Sequence, residues 1–302
     1  MSAATTYSLY FIGGYFALTL LLYALSRVIP ALAFYARMLA STFAFTVASA
    51  YGVVASLILR LVGFGRSSQW ATARCFKWAM TVTTGVGFEI QGQEHLQTRP
   101  AVFISNHQTE LDVLMLGWVF PPYCSVTAKK SLIKIPIFGW YMALSHSVLI
   151  DRGNRKTAFA AFDGAANEMR QQRQSVFIFP EGTRSYYAKP DLLPFKKGAF
   201  HLAIQAKVPI VPVVTANYSN VLHFQTRTFN SGTIPVKVLP PIPTAHLQAS
   251  DVDDLARNTR ELMLKELREL TEVAREQGIS RKEVDGTPME GRTTRADEKK
   301  VR

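Results

Sequence analysis

The sequence of 302 residues predicts an α/β fold, with a mixed sheet flanked by helices and a membrane-embedded pair of helices before it. Three observations support this prediction. Roughly the first sixty residues are nearly free of charge, β-rich runs alternate with helical ones from Phe88 onward, and two of the apolar runs end in dense polar turns. Such alternation is typical of layered α/β structures, whose active groups lie on loops at strand ends.

The N-terminal region contains two uncharged apolar stretches. Residues 7–25 come close to the roughly 20 residues that a membrane-spanning helix needs, and residues 38–59 form a second such stretch. A cleaved signal peptide is the competing interpretation, but no basic residue precedes the first stretch and no clear cleavage site follows it. We therefore expect a membrane-embedded helical pair, which either crosses the bilayer or enters it as a shallow hairpin.

Charge and cysteine content indicate the kind of partner and the cellular compartment of the chain. The formal net charge of +12 favours an anionic partner such as nucleic acid, a negatively charged leaflet or a polyphosphate substrate. Cys75 and Cys124 offer neither a disulfide framework nor metal-ligand spacing, which favours a reducing, cytosolic environment. Basic residues after the second apolar stretch place the rest of the chain on the cytosolic side, although Arg27 and Arg37 weaken that assignment.

From Phe88 onward, the predicted strands and helices alternate. The β-rich runs predict seven strands, at residues 88–92, 101–105, 125–129, 146–151, 175–180, 210–215 and 236–242. Apolar residues at helical spacing predict helices at residues 110–119, 155–174 and 197–206. We expect four regions: membrane-anchoring helices (1–66), an α/β domain (67–250), an amphipathic helix (251–277) and a disordered tail (278–302).

A histidine and an aspartate follow the strand at 101–105. Within one helix, His107 and Asp112 would lie roughly 140° apart in azimuth, but they can meet if His107 lies in the turn and Asp112 on the first helical turn. One ring N–H of His107 would then donate a hydrogen bond to the carboxylate, and the other ring nitrogen would stay free as a base. The nucleophile would be a hydroxyl of the substrate. The alternative is a capping box from Thr109 to Asp112, with His107 as a surface loop residue.

A second polar turn follows the strand at 175–180. Gly182 lets the backbone approach a ligand, Arg184 offers a planar fork suited to phosphate, and Thr183 adds a hydrogen-bond donor. The alternative is an ordinary proline-initiated turn with surface charges. Two such turns on one sheet that can bring them together favour a shared functional site.

These segments resemble the glycerolipid acyltransferases. "NHQTELD" (106–112) resembles their H-x4-D motif and "FPEGTRS" (179–185) their phosphate-binding motif. "LIDRGNR" (149–155) and "VPIVPV" (208–213) stand where that family has its second and fourth blocks. Flanking segments resemble the 1-acylglycerol-3-phosphate acyltransferases, particularly fungal-type members. The resemblance covers about residues 69–243, and Thr109 stands where many members have serine.

The resemblance implies a reaction. An acyl chain would pass from acyl-CoA, as co-substrate, to the sn-2 hydroxyl of 1-acyl-sn-glycerol-3-phosphate (lysophosphatidate), giving phosphatidate and CoA with no metal and no cofactor. His107 would deprotonate the hydroxyl, and Asp112 would fix the imidazole tautomer and stabilise the imidazolium. The remaining residues implied at the substrate phosphate are Glu181, Gly182, Thr183, Arg184, Lys129 and Arg152. Glu181 would orient Arg184 or a substrate hydroxyl, because a carboxylate beside a phosphate repels it. Lys196 and Lys197 either meet the CoA phosphates or begin a solvated helix.

The expected partners are acyl-CoA, lysophosphatidate and membrane lipids. Trp70 and Trp78 suggest an interfacial helix between the anchor and the domain. The expected location is the endoplasmic reticulum membrane with the catalytic domain facing the cytosol, or a lipid droplet. Two alternatives stay open: another acceptor, either glycerol-3-phosphate or a head-group lysophospholipid, and a non-catalytic membrane-anchored lipid-binding protein. Nucleic acid is not expected as a partner, because the basic residues are scattered and no recognition helix occurs.

Overall fold

The computed structural model describes residues 2–151, 153 and 155–280, and it begins with two long apolar helices. Helix α1 (Ala3–Leu25) exposes most of its side chains, and α2 (Leu32–Leu61) follows it. Both helices are long and apolar enough to cross a membrane. One face of α2 is buried and consists mainly of small residues, namely Ala36, Ala40, Ala44, Ala48, Gly52 and Ala55.

This small-residue face packs against the rest of the protein. Helix α3 (Ser68–Thr84) lies along α2, and a Cβ atom at Gly52 would come within 2.9 Å of the Thr72 side chain. Near the two ends of α2, Arg37 Nε donates to the Thr84 carbonyl at 3.0 Å and Arg60 Nη2 donates to the Leu144 carbonyl at 3.1 Å. Helix α2 therefore contacts the folded domain along nearly its whole length.

In the described part of the chain, seven strands form a mixed sheet, as the sequence predicts. The strands are β1 (Val86–Gln91), β2 (Val102–Ser105), β3 (Cys124–Lys129), β4 (Val148–Ile150), β5 (Ser175–Ile178), β6 (Ile210–Thr215) and β9 (Gly232–Val238). Their order is β1-β9-β6-β2-β5-β3-β4, and every neighbouring pair is parallel except β6–β9. A separate two-stranded ribbon, β7 (Leu222–His223) and β8 (Thr228–Phe229), was not predicted.

Helices cover both faces of this sheet. They are α4 (Leu111–Val119), α5 (Phe138–Leu144), α6 (Arg155–Gln172), α7 (Gly198–Ala206) and α8 (Val252–Glu276). Side chains of one strand alternate between the two faces. On β2, Phe103 joins the core under α3 and α4, whereas Val102 and Ile104 join the core under α6, α7 and α8. The central strands are buried on both faces, so their sequences are continuously apolar.

The C-terminal helix belongs to the same core. Met263 and Leu267 of α8 are fully buried against the sheet. The packed chain also continues past the expected start of the tail at residue 278, because Ile279 and Ser280 are buried. The Ser280 hydroxyl lies 3.1 Å from Asn217 Oδ1. The predicted disorder of the tail from residue 281 onward concerns residues outside those that the structure describes.

Candidate active site

The carboxyl ends of four adjacent parallel strands meet at one edge of the sheet. His107 comes two residues after β2 ends, Lys129 is the last residue of β3, and residues 179–186 follow β5. Residues 216–218 follow β6. Parallel sheets bind their ligands in the crevice at such an edge, and the two polar turns of the sequence lie here side by side.

The histidine and the aspartate form a hydrogen-bonded pair. His107 Nδ1 lies 2.8 Å from Asp112 Oδ2, and the Asp112 side chain is 0% exposed. The same oxygen accepts the backbone N–H groups of Gln108 at 2.5 Å and Thr109 at 3.2 Å, while Oδ1 accepts the Tyr218 hydroxyl at 2.7 Å. Four donors thus satisfy a carboxylate whose burial would otherwise be costly.

The pairing and the capping interpretations both hold in part. Asp112 accepts the Thr109 N–H, and the Leu111 N–H donates to the Thr109 hydroxyl at 3.2 Å, as at the start of a capped helix. His107 is not a surface residue, since its side chain is 14% exposed and its ring stacks on Phe179 with centroids 4.2 Å apart. One carboxylate therefore ties down the turn and orients the imidazole.

Tyr218 is a site residue that the sequence analysis missed. Its hydroxyl bonds Asp112, accepts the Thr109 N–H at 3.1 Å and lies 2.9 Å from Thr109 Oγ1. Burial, together with the charge of Asp112, raises the pKa of Tyr218 well above its ordinary value, so the hydroxyl remains a neutral donor. The available signal was its place just after β6, at the same sheet edge as His107.

Asparagine and glutamine side chains fasten these strand ends together. Asn106 Nδ2 donates to the Thr215 carbonyl at 2.9 Å, and Asn106 Oδ1 accepts the Thr215 N–H at 2.9 Å. Gln108 Nε2 donates to the Thr215 and Ala216 carbonyls at 3.1 and 2.9 Å. The turn that carries His107 is therefore fixed to the end of β6.

The contacts of Glu181 differ from those expected at a substrate phosphate. The side chain is 3% exposed, and its oxygens accept the His107 N–H at 2.6 Å and the Leu193 N–H at 2.9 Å. Burial raises the pKa of this carboxyl to about 8, although the two N–H donors favour the carboxylate and oppose the shift. Of the two roles expected for Glu181, orienting Arg184 was wrong, because Glu181 holds the backbone of His107 while Arg184 pairs with Glu110. Orienting a substrate hydroxyl stays a prediction.

Arg184 lies at the cavity that also contains His107. Its Nη1 donates to Glu110 Oε1 at 2.8 Å and to the Tyr186 hydroxyl at 3.2 Å. Its Nε is buried and has no hydrogen-bond partner among the residues that the structure describes. Donors therefore remain on this guanidinium for an anionic ligand.

The other expected phosphate ligands have different surroundings. Thr183 and Lys129 line the same cavity as His107. Gly182 has a φ of +70°, a left-handed conformation that favours glycine. A Cβ atom there would meet only the flexible end of the Lys196 side chain, at 2.9 Å, so the preference for glycine comes from the backbone. Arg152 lies outside the described residues, and its role stays a prediction. Lys197, a candidate for CoA phosphates, forms an ion pair with Asp253 of α8 at 2.6 Å.

The cavity is lined by more apolar than polar side chains. Its volume is about 470 Å³, and it extends from His107 between α2, α3, α4 and α5. Its apolar lining includes Phe45, Phe76, Leu116, Phe120, Phe138 and Met142. A space of this size suits a long hydrocarbon chain whose polar end stays beside the imidazole and Arg184.

Comparisons with known proteins identify the family of this chain. Residues 87–216 match the sequence model of the family described as Acyltransferase. The 1-acyl-sn-glycerol-3-phosphate acyltransferase of Saccharomyces cerevisiae is 43% identical over 220 residues, which cover 73% of this chain and 73% of the yeast protein. The human 1-acyl-sn-glycerol-3-phosphate acyltransferase beta is 38% identical over 271 residues, covering 87% of this chain and 92% of the human one.

A solved structure shares the fold. The crystal structure of the 1-acyl-sn-glycerophosphate (LPA) acyltransferase PlsC from Thermotoga maritima matches with a TM-score of 0.59 at 21% identity. The match covers 77% of this chain and 96% of that one. The sequence matches show that the chain belongs to the 1-acyl-sn-glycerol-3-phosphate acyltransferase family.

Proposed function

We propose that this protein transfers an acyl chain from acyl-CoA to the sn-2 hydroxyl of lysophosphatidate, giving phosphatidate and CoA. The single observation that carries the proposal is a His107–Asp112 pair at 2.8 Å whose imidazole lines a largely apolar cavity that Arg184 also lines. The names of the yeast and human relatives support the same reaction.

His107 acts as the general base in this proposal. Its free ring nitrogen takes the proton of the sn-2 hydroxyl while the oxygen attacks the thioester carbonyl. The tetrahedral intermediate then breaks its C–S bond, and the imidazolium returns the proton to the CoA thiolate. General base catalysis of this kind typically contributes about 10²–10⁴ in rate. Asp112 keeps the proton on Nδ1 and stabilises the imidazolium, since its charge is held by four donors.

The substrate phosphate needs fixed positive charge beside the base. Arg184 suits that role because a guanidinium binds phosphate oxygens with two parallel hydrogen bonds. Lys129 and Thr183 line the same cavity and supply a second cation and a hydroxyl. The phosphate thus holds the glycerol backbone so that its hydroxyl meets His107.

Two long apolar N-terminal helices support a location at the membrane, where the lipid substrates reside. The folded domain contacts α2 from Arg37 to Arg60. A perpendicular crossing would carry the polar parts of the domain into hydrocarbon. Insertion into one leaflet avoids that cost. Three exposed apolar side chains close to the cavity, Ile133, Ile135 and Trp140, suit the same leaflet. The proposed location is the cytosolic face of the endoplasmic reticulum or a lipid droplet.

An acceptor panel tests this function. Purified enzyme in nanodiscs receives labelled acyl-CoA with lysophosphatidate, glycerol-3-phosphate or lysophosphatidylcholine, next to a His107→Ala variant. We expect labelled phosphatidate from the wild type alone. Preference for lysophosphatidylcholine would overturn the acceptor assignment. Lipid binding without turnover of any acceptor would favour a non-catalytic lipid-binding protein.

A further inference from the structure

Two protein groups occupy the same nitrogen of the Arg184 guanidinium. Nη1 donates to Glu110 Oε1 at 2.8 Å and to the Tyr186 hydroxyl at 3.2 Å. The Tyr186 hydroxyl in turn donates to that Glu110 oxygen at 2.8 Å, which closes a three-membered ring of hydrogen bonds. The ring anchors the Nη1 end of the guanidinium.

The opposite edge of the guanidinium carries the remaining donors. Nε and Nη2 lie on that edge, and their two N–H groups match two oxygens of a phosphate. Nε is buried without a hydrogen-bond partner among the residues for which the structure gives side chains. Such a donor is costly to bury unless a ligand accepts from it.

The ring is built on the loops that carry His107 and Arg184. The Ser185 N–H donates to the His107 carbonyl at 2.9 Å, and the Tyr186 N–H donates to the Gln108 carbonyl at 3.1 Å. Tyr186 has a φ of +52°, a left-handed conformation that non-glycine residues adopt at a cost. Tyr186 is therefore held against its own backbone preference, beside the residue that it orients.

We propose that Glu110 and Tyr186 are positioning residues that aim the Nε–Nη2 edge of Arg184 at the phosphate of the acceptor. The inference rests on the proposed function and deepens it, because it names the groups that set the geometry of the anion site. Both partners of the Glu110–Arg184 pair are partly exposed, at 45% and 38%, so the pair adds little to stability. Its effect falls on substrate binding.

Three substitutions separate geometry from charge. Glu110→Ala removes both the acceptor and the charge, and we expect it to raise KM for lysophosphatidate about tenfold with kcat nearly unchanged. Glu110→Gln keeps an oxygen acceptor and removes only the charge that opposes phosphate, so its KM stays at or below the wild-type value. Tyr186→Phe removes the bridging hydroxyl and raises KM about threefold.

A matched ion pair provides the control. Glu168 pairs with Arg66 at 3.0 Å, with exposures of 45% and 29%, and that pair is of the same kind as Glu110–Arg184. Glu168→Ala should leave both kinetic constants unchanged. In an Arg184→Ala background, Glu110→Ala should add no further rise in KM, because the group that it positions is gone.

Several outcomes would overturn the inference. A lower KM in both Glu110 variants would mean that the carboxylate merely repels phosphate. Additive effects of Glu110→Ala and Arg184→Ala, or a change confined to KM for acyl-CoA, would assign Glu110 a role without Arg184. Failure of the proposed function looks different: the wild type does not acylate lysophosphatidate, or Arg184→Ala leaves its KM unchanged. If KM rises in Arg184→Ala but not in Glu110→Ala, this inference is wrong and the proposed function still stands.

Discussion

Replacing Asp112 by asparagine removes one negative charge from a site of four hydrogen-bond donors. Three of those donors are N–H groups that converge on Oδ2, whereas Oδ1 faces the hydroxyl of Tyr218. A hydroxyl can accept as well as donate, but an N–H group cannot. The asparagine therefore turns its oxygen toward His107 and its amide nitrogen toward Tyr218. The imidazole keeps its tautomer, and the charge alone is lost.

The size of the effect follows from the imidazolium that forms in the reaction. Two unit charges about 4 Å apart interact by about 4 kcal/mol at an effective dielectric of about 20. Each 1.36 kcal/mol corresponds to about a tenfold change in rate. That interaction bounds the loss at about 10³, so we expect kcat of Asp112→Asn to fall by about 10²–10³, with KM for lysophosphatidate nearly unchanged.

The assay is the initial rate of phosphatidate formation, with urea unfolding followed on the same preparations. A fall in kcat with KM for lysophosphatidate and the urea midpoint nearly unchanged separates the lost charge from structural damage. Tyr218→Phe serves as the comparison, since it removes a donor to Asp112 and leaves the charge. Unchanged turnover in Asp112→Asn would refute the reasoning and leave the aspartate with a capping role only.

Three further substitutions probe the surroundings of the catalytic pair. Glu181→Gln places an amide N–H₂ against one of two backbone N–H donors. We expect the free energy of unfolding, measured with urea, to fall by about 1–3 kcal/mol, and kcat to fall as well. Burial raises the pKa of Glu181 to about 8, above its value in the unfolded chain, so the folded state binds more protons between roughly pH 4.5 and 8. Glu181 should lower wild-type stability as pH rises through that window, by on the order of 1 kcal/mol per pH unit, and this contribution should be absent from Glu181→Gln. Gly182→Ala, at a φ of +70°, should cost about 1 kcal/mol in unfolding and raise KM for lysophosphatidate; an unchanged KM would separate the glycine from the phosphate site. Ser49→Phe fills the cavity beside α2 and should lower kcat/KM for long acyl-CoA chains more than for short ones; an equal loss across chain lengths would place the acyl chain elsewhere.

Most of the sheet could be predicted because its physical signal is local. The continuous apolar sequence of β2 and β5 reflects strands buried on both faces. Helix α5 has seven residues, too few for helical spacing to be visible. It also begins next to Ile137, whose φ of +63° no sequence pattern announces for a β-branched residue.

The site could be predicted in its residues but not in all its contacts. His107 and Asp112 lie five positions apart, so a turn followed by a helix was enough to bring them together. Glu181 meets His107 across 74 positions, and Tyr218 meets Asp112 across 106. Only the order of strands in the sheet determines such pairs. The charge of Glu181 suggested an arginine partner, whereas burial gave it backbone N–H groups instead.

The measurement closest to the central claim compares phosphatidate formation by the wild type and His107→Ala, with lysophosphatidate binding followed in parallel by thermal stabilisation. If the imidazole takes the proton of the acceptor, the variant binds lysophosphatidate as the wild type does, and its kcat falls by about 10²–10⁴. A variant that still forms phosphatidate at the wild-type rate would contradict the account.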